Sequence, residues 1–373
     1  MILAKFCLLL LLAVAPGPPG VVIDHQSATT RQYIGSPSIA ILPNGDYVAS
    51  HDLFGPGSSE KVSSITRVFR STNRGQTWQR TAELHDQSWS NLFVHRGALY
   101  ILGTSFEYGR IVLRRSTDSG RTWQGPFFLS EGTGFHTSAV PIIEVKGRLW
   151  RAFEFHPTGP WGSFEAFLLS VPSGADLTDP KNWTMTERLA FPASATDPHT
   201  WLEGNAVLTP DGQIVDILRV HNTENVATLR LKDGALHFDG TLAAFPGGAK
   251  KFVIRFDPKT KRYWTLSNPA PAGVKDPASI RNTLALLSSK DLREWKLERV
   301  VLQHPDSAKH AFQYPDWQFD GKDMVAAVRT AADDEDGGAP RGHDANFLTF
   351  HRILNFRKPR CLLRSSAPRP GPS

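Results

Sequence analysis

Cysteine is almost absent from this sequence, which has two among its 373 residues, Cys7 and Cys361. Both lie near the ends of the chain, outside the part expected to fold. The folded part is therefore expected to have no internal disulfide and no cysteine metal site. No His-x-x-x-His motif and no convincingly spaced carboxylate pair occurs either. We expect a function that needs no metal and no cofactor.

Helical periodicity is also missing, since no long stretch repeats apolar residues every 3.6 positions. An apolar run at residues 7–14 follows Lys5, is too short to cross a bilayer, and ends in a Pro-Gly-rich turn. This pattern predicts a signal peptide over residues 1–20, and hence a secreted or periplasmic protein without a membrane span. The alternative is a buried N-terminal strand.

Acidic residues are missing from the end of the chain, which accounts for most of the net charge of +6. Residues 359–373 form a basic, Pro-rich tail with the composition of a disordered segment. Because the basic residues do not cluster on one predicted element, the charge does not indicate nucleic-acid binding. The remaining residues, 21–358, are expected to form one domain and a monomer.

The chain contains a repeat: an apolar strand, a tight glycine turn and a second apolar strand. It begins at residues 39–49 and 92–102 and returns about every 50 residues, the length of a four-stranded propeller blade. Such hairpins are typical of antiparallel sheets. We therefore predict an all-β propeller with six blades, seven being the alternative. The strand at residues 21–25 would complete the last blade and close the ring.

A second motif follows the first hairpin in two consecutive blades. Residues 116–123 read Ser-Thr-Asp-Ser-Gly-Arg-Thr-Trp, and residues 71–78 match them with Asn73 in place of the aspartate. The Asp or Asn side chain can bind backbone amides, the glycine can take positive φ, and the Trp can pack between blades. This is the Asp box, and the sequence resembles the sialidase superfamily of Asp-box (BNR-repeat) β-propellers. Because non-catalytic propellers also carry Asp boxes, the motif predicts a fold rather than a reaction.

Blade topology predicts which polar residues share a face. The loops between blades, and those between the second and third strands of a blade, emerge together around the channel mouth. The residues at these positions are His51, Asp52, His136, Glu154, Glu203, Arg219, His221, Arg281, Tyr314, Arg329 and His343. Guanidinium groups bind carboxylates through parallel hydrogen bonds, and Trp and Tyr suit sugar rings. The pattern predicts an acidic oligo- or polysaccharide as substrate.

The sialidase resemblance implies roles for some of these residues. Glu203 and Arg219 look like the family's Glu–Arg pair, Arg281 like its next arginine, and Tyr314 like its nucleophile. Residues 35–38 read Gly-Ser-Pro-Ser, where sialidases carry an arginine on the first strand. Exo-α-sialidase is therefore an alternative rather than the first expectation.

The sequence also resembles sialidase-like propellers that degrade polysaccharides. The matching segments are SHDLFGPG at 50–57, WLEGNAV at 201–207, FQYPDWQF at 312–319 and HDANFLTFHR at 343–352. That group includes α-L-rhamnosidases, whose catalytic histidine His51 resembles, and uronate lyases. The lyase resemblance gives proton transfer to His136 and Tyr314, and carboxylate neutralisation to Arg219.

His51 is also a candidate from its own position. It follows directly on a predicted strand, and an imidazole can exchange a proton near neutral pH. We therefore expect a glycoside hydrolase or a polysaccharide lyase that cleaves a uronate-containing glycan, with His51, His136 and Tyr314 as catalytic residues. A non-catalytic glycan-binding propeller is a further alternative.

Overall fold

The computed structural model describes residues 17–156, 161–192 and 200–358. In these ranges the chain is all-β, apart from three 3₁₀ turns at Ala28–Thr30, Pro180–Asn182 and Pro277–Ser279. Its strands form six antiparallel sheets, which confirms the predicted six-bladed propeller. No helix in the described ranges is long and apolar enough to span a membrane. The tail predicted at 359–373, and all but the last residues of the predicted signal peptide, lie outside the described residues.

The first half of the ring contains three blades. The chain starts with β1 (Val21–His25), which belongs to the last blade. Blade 1 contains β2 (Tyr33–Ile34), β3 (Ser38–Ile41), β4 (Tyr47–Phe54), β5 (Ile65–Ser71) and β6 (Gln79–His85). Blade 2 contains β7 (Ser88–His95), β8 (Ala98–Thr104), β9 (Ile111–Ser116) and β10 (Gln124–Phe128). Blade 3 contains β11 (Phe135–His136), β12 (Ile143–Val145), β13 (Arg148–Phe155), β14 (Glu165–Pro172), β15 (Thr184–Met185) and β16 (Leu189–Ala190).

The second half of the ring contains the other three blades, and the strands of each blade follow one another from the channel outward. Blade 4 contains β17 (Trp201–Leu208), β18 (Ile214–Val220), β19 (Asn225–Lys232), β20 (Ala235–His237) and β21 (Leu242–Ala244). Blade 5 contains β22 (Val253–Asp257), β23 (Arg262–Ser267), β24 (Thr283–Ser289) and β25 (Lys296–Gln303). Blade 6 contains β26 (Ala311–Asp320), β27 (Asp323–Ala331) and β28 (Phe347–Ile353). Its fourth strand is β1, which pairs antiparallel with β28 and closes the ring as predicted.

The two Asp boxes have the structure that their residues predict. Asp118 accepts hydrogen bonds from the backbone N–H of Thr122 at 2.9 Å and from its hydroxyl at 2.6 Å. Asn73 accepts from the backbone N–H of Thr77 at 3.0 Å. The glycine at 75 has a φ of 89°, and an added Cβ would lie 2.3 Å from the Phe350 ring, so only glycine fits there. The boxes thus fix turns against the preceding blade of the ring.

Neighbouring blades are joined near the channel by polar side chains of the inner strands. Each accepts a backbone N–H of the following blade, and this satisfies a buried donor. The bonds run from Leu92 to Ser38 Oγ (2.9 Å), from Ile254 to Asn205 Oδ1 (3.0 Å) and from Ile39 to Asp316 Oδ2 (2.9 Å). The bond at Asp316 lies between blades 6 and 1, where the ring closes. The inner strands that carry the site are therefore fixed in position relative to one another.

Candidate active site

The site begins with an irregularity that recurs in the inner strands of blades 2, 4 and 6. In β7, β17 and β26 the pairing register shifts at a bulge. The bulged residues are Trp89, Glu203 and Tyr314, with φ of 48°, 56° and 53°. Non-glycine residues rarely adopt positive φ, and bulges that re-aim side chains are frequent at functional sites. All three side chains line the same cavity.

This cavity has a volume of about 890 Å³ and lies at the channel mouth. It brings together most of the residues that blade topology predicts for this face. They are Asp52, His136, Glu203, Arg219, His221, Arg281, Tyr314, Arg329 and His343. These residues come from all blades except blade 2, which contributes Trp89 instead. The inference that equivalent blade positions converge therefore holds for this set.

Glu154 lies behind the cavity wall rather than on it. Its Oε2 is 2.8 Å from Nδ1 of His136, and its Oε1 accepts the backbone N–H of Gly204 at 2.9 Å. Because an ionised carboxylate can only accept, this contact assigns the proton to Nδ1 of His136. Nε2 of His136 has no hydrogen-bond partner in the described part of the chain. Glu154 therefore orients a histidine of the cavity and does not contact the cavity itself.

His51 is not brought to the cavity, and its expected position is corrected. The strand predicted to end at residue 50 continues to Phe54 as β4. Because side chains alternate along a strand, Asp52 and Phe54 face the cavity while His51 faces the other side of the sheet. His51 is fully buried, with Nε2 2.9 Å from Asp24 and Nδ1 3.0 Å from the Asp52 carbonyl. In this position its side chain does not line the cavity.

A buried ion pair occupies the blade 4 side of the cavity. Nε of Arg219 lies 2.5 Å from Oε2 of Glu203, and Arg219 also donates to the Ala249 carbonyl at 2.7 Å. Burial acts to raise the pKa of Glu203, but the charges of Arg219 and His136 outweigh it, so that the pKa is lowered. Glu203 is therefore held as a carboxylate that can accept a proton or a hydrogen bond.

Tyr314 lies between this carboxylate and three guanidinium groups. The guanidinium carbons of Arg329 and Arg281 are 5.0 Å and 5.7 Å from the centre of the Tyr314 ring. Burial raises the pKa of Tyr314, and Glu203 raises it further, although the three arginines act in the opposite direction. The resting side chain is a neutral phenol beside a base.

Arg281 and Arg329 are buried cations whose hydrogen bonds go to neutral acceptors. Arg281 donates to the Ala278 carbonyl at 3.0 Å and to Gln313 Oε1 at 2.6 Å, while Arg329 donates to the His343 carbonyl. Burial lowers the pKa of both, to about 10 for Arg329. Nε of Arg329 is buried without a hydrogen-bond partner in the described ranges. Uncompensated buried cations of this kind are stabilised by an anionic ligand.

The remaining walls contain residues that the sequence reasoning missed. Trp89, Tyr108 and Trp161 are aromatic, and Glu60 and Glu107 are acidic. The side chain of Trp161 is 53% exposed at the rim, which suits stacking on a sugar ring. Comparing SWSN at 88–91 with LEGN at 202–205 could have identified Trp89, because the two segments occupy equivalent positions. No local signal marks the loop residues.

No protein-family model and no curated protein matches the chain. Solved structures match its fold. An α-L-arabinanase from Penicillium chrysogenum, complexed with arabinobiose, is 16% identical with a TM-score of 0.58, over 92% of this chain and 99% of that one. An α-L-arabinofuranosidase from Fusarium graminearum is 12% identical with a TM-score of 0.59, over 91% and 98%.

Trypanosoma rangeli sialidase, in complex with sialic acid, is 15% identical with a TM-score of 0.59. The match covers 91% of this chain and 59% of the sialidase. At such identities the likeness shows the fold alone, a sialidase-like six-bladed propeller. The narrower resemblance to rhamnosidases and uronate lyases is not confirmed by these matches.

Proposed function

We propose that this protein is a glycoside hydrolase that cleaves an acidic sugar from a glycan. Tyr314 is the nucleophile, Glu203 is its base, and Arg281 and Arg329 bind the sugar carboxylate. The observation that carries this proposal is the placement of the half-buried Tyr314 phenol between a carboxylate and three buried guanidinium groups. The fold that this chain shares with glycosidases is consistent with the proposal but does not select the substrate.

The charge of the cavity supports an anionic sugar. Arg219 is neutralised by Glu203, whereas Arg281 and Arg329 have only neutral acceptors. A carboxylate placed between the latter two would receive charge-assisted hydrogen bonds, which are about twice as strong as neutral ones. A neutral sugar would leave both cations without a counter-charge. Acidic sugars should therefore bind more tightly than neutral sugars of the same shape.

The same charge explains why a tyrosine suits the role of nucleophile. A carboxylate nucleophile would be repelled by a substrate that carries its own carboxylate near the reacting carbon. A neutral phenol is not repelled, and it gains nucleophilicity as Glu203 takes its proton. Tyrosine nucleophiles are a known exception to the usual pair of carboxylates in glycosidases. The raised pKa of Tyr314 makes this base necessary.

The test is hydrolysis of matched aryl glycosides by the purified protein. We expect turnover of 4-methylumbelliferyl sialoside or glucuronide and little turnover of the glucoside or arabinofuranoside, which lack the carboxylate. Tyr314→Phe should lower kcat by about a hundredfold or more, because the nucleophile is lost. Preferred turnover of the neutral glycosides, or an active Tyr314→Phe variant, would reject the proposal.

A uronate lyase is a second candidate, favoured by one observation. His136, oriented by Glu154, and Tyr314 line the same cavity, so a proton could be removed at one side chain and delivered by the other. Elimination yields an unsaturated uronate that absorbs in the ultraviolet, whereas hydrolysis yields a saturated sugar that lacks this absorbance. Appearance of that absorbance with a uronate polysaccharide would favour the lyase. The rhamnosidase route has less support, because His51 lies outside the cavity.

A further inference from the structure

The three inner-strand bulges are each held by a charged side chain of the preceding blade. In blade 2, Asp52 of blade 1 accepts the backbone N–H of Trp89 at 3.2 Å. In blade 4, Glu154 of blade 3 accepts the backbone N–H of Gly204, the residue after Glu203, at 2.9 Å. In both blades a carboxylate therefore holds the bulge by accepting a backbone donor.

Blade 6 uses a cation in place of the carboxylate. The residue after the bulged Tyr314 is Pro315, which has no backbone N–H and presents only a carbonyl. Nζ of Lys251 donates to this carbonyl at 2.8 Å. Lys251 lies two residues before β22, the inner strand of blade 5, so the charged group again comes from the preceding blade. The charge behind the bulge is thus positive rather than negative.

Lys251 is fully buried and forms a salt bridge with no described carboxylate. The charged groups that face it are Asp316 of β26, Glu203 of β17, Arg255 of β22 and Arg151 of β13. Burial lowers the pKa of Lys251 to about 8, while Asp316 and Glu203 act in the opposite direction. The side chain is therefore still a cation at pH 7. A buried cation costs free energy that an apolar side chain of the same length would avoid.

The charge of Lys251 also acts on Glu203. The charged and titratable groups that face this carboxylate are Arg219, His136, Tyr314, Lys251, Arg281 and His221. Burial acts to raise the pKa of Glu203, but Arg219, His136 and Lys251 act against it, and the pKa is lowered. Lys251 therefore acts on both members of the pair, through a hydrogen bond behind Tyr314 and through charge at Glu203.

The neighbouring Lys250 extends to a different part of the site. Its Nζ donates to the Pro277 carbonyl at 2.9 Å. Pro277 begins a 3₁₀ turn, and the carbonyl of the second residue in this turn accepts Nε of Arg281 at 3.0 Å. Two consecutive lysines thus support different groups, since Lys250 holds the turn behind an arginine and Lys251 holds the bulge behind the tyrosine.

We propose that Lys251 is a positioning residue for the nucleophile, holding the blade 6 bulge so that the Tyr314 phenol faces both Glu203 and the anomeric carbon. This inference rests on the proposed hydrolase function and adds to it a residue that does not line the cavity. The hydrogen bond of Lys251 fixes where the phenolic oxygen lies, and its charge favours the carboxylate form of the base. Misplacing a reacting group by about 1 Å can cost about 10²-fold in rate.

Lys251→Met tests this role, because methionine fills a similar volume but removes both the donor and the charge. With an aryl glycoside of an acidic sugar, kcat should fall by about tenfold to a hundredfold. KM should change by less than about threefold, because Arg281 and Arg329 remain. Lys250→Met should show the opposite split, with a raised KM and a smaller change in kcat. The same effect of both variants on kcat and on KM would indicate a general structural role and overturn the proposal.

The pH profile gives a readout that a purely structural role would not change. Hydrolysis needs the Glu203 carboxylate, so kcat/KM rises as the pH rises through the pKa of Glu203. Loss of the Lys251 charge raises this pKa, so the acid limb should move to higher pH in Lys251→Met. Lys251→Arg keeps the charge and a donor, so it should keep the acid limb at the wild-type pH and recover part of kcat. Lys290→Met, at an exposed position away from the cavity, is the control and should leave both unchanged.

The outcomes separate this inference from the proposed function. An acid limb that stays at the wild-type pH in Lys251→Met, or that moves equally in Lys290→Met, would overturn the role of Lys251 while the wild type remains an active hydrolase. If Lys251→Met does not fold, Lys251→Gln, which also removes the charge but keeps an amide donor, gives the same test of the acid limb. A wild type that hydrolyses no acidic glycoside would overturn both proposals.

Discussion

Replacing Arg329 by methionine should weaken binding of an acidic sugar without destabilising the fold. The Arg329 side chain is buried, and its guanidinium carbon lies 4.4 Å from the centre of the Phe54 ring and 5.0 Å from that of Tyr314. Its hydrogen bond goes to the His343 carbonyl, and no described carboxylate forms a salt bridge with it. The protein thus holds this buried cation without a counter-charge from the described residues, at a cost in free energy.

The expected changes in sugar affinity and in the free energy of unfolding both follow from the environment of Arg329. Removing one partner of a buried, hydrogen-bonded charge pair costs about 3 kcal/mol or more, which corresponds to roughly a 100-fold loss of affinity for the acidic sugar. In the unliganded protein, methionine fills a similar volume and needs no counter-charge. The lost bond to His343 and the lost ring contacts are offset by relief of the buried charge. The free energy of unfolding should stay within about 1 kcal/mol of the wild type or rise.

Arg255→Met is the matched control. This arginine also lies beside an aromatic ring, that of Trp317, but its Nη2 is 3.1 Å from Oδ1 of the buried Asp316. Removing it takes away the salt bridge that the buried Asp316 carboxylate forms with Arg255, at a cost of about 3 kcal/mol, and the melting temperature should fall by several degrees. Calorimetric unfolding and sialoside or glucuronide binding should be measured for both variants. If Arg329→Met is destabilised as much as Arg255→Met, or still binds acidic sugars normally, the anion-site argument is wrong.

Three further substitutions have distinct expected outcomes. Glu203→Gln should lower kcat about a hundredfold, because the base is lost, and should lower the melting temperature, because Arg219 loses its counter-charge; intact stability would argue against the ion pair. Trp161→Ala should raise KM about tenfold with unchanged melting temperature, because the side chain is 53% exposed; an unchanged KM would remove it from the sugar site. Asp316→Asn should destabilise the fold by about 2–4 kcal/mol in denaturant titrations, because it weakens the contacts that close the ring; a loss below 1 kcal/mol would contradict this.

The fold was predictable because its signals are local. A glycine turn between two apolar strands predicts a hairpin. Two successive hairpins then predict a four-stranded blade from about 50 consecutive residues, without reference to the rest of the chain. The Asp boxes are also local, since the partners of the Asp118 side chain, Ser116 and Thr122, lie at most four positions from it in the sequence. The terminal strand at residues 21–25 could be assigned because the count of strands left the last blade one short. Topology then placed most of the polar loops on one face.

The errors in the candidate site came from where strands end and from contacts between loops. His51 was predicted to face the channel mouth because the strand was expected to stop at residue 50, directly before it. Once β4 continues to Phe54, alternation alone turns His51 away and turns Asp52 inward. Glu60 was missed because the backbone of its loop is held by Glu107, which belongs to another blade. Such contacts between distant segments leave no periodic pattern in the sequence.

The repeated bulge explains how a repetitive fold forms a single asymmetric site. In blades 2, 4 and 6 it directs one inner-strand side chain into the cavity, and these side chains are Trp89, Glu203 and Tyr314. The backbone device is the same in each case, so the chemistry depends only on which residue occupies it. In the proposed reaction the aromatic ring gives a surface for a sugar, the carboxylate gives a base, and the phenol gives a nucleophile. Because bonds such as that from Ile39 to Asp316 hold the inner strands together, the relative positions of these three groups are set by the ring itself.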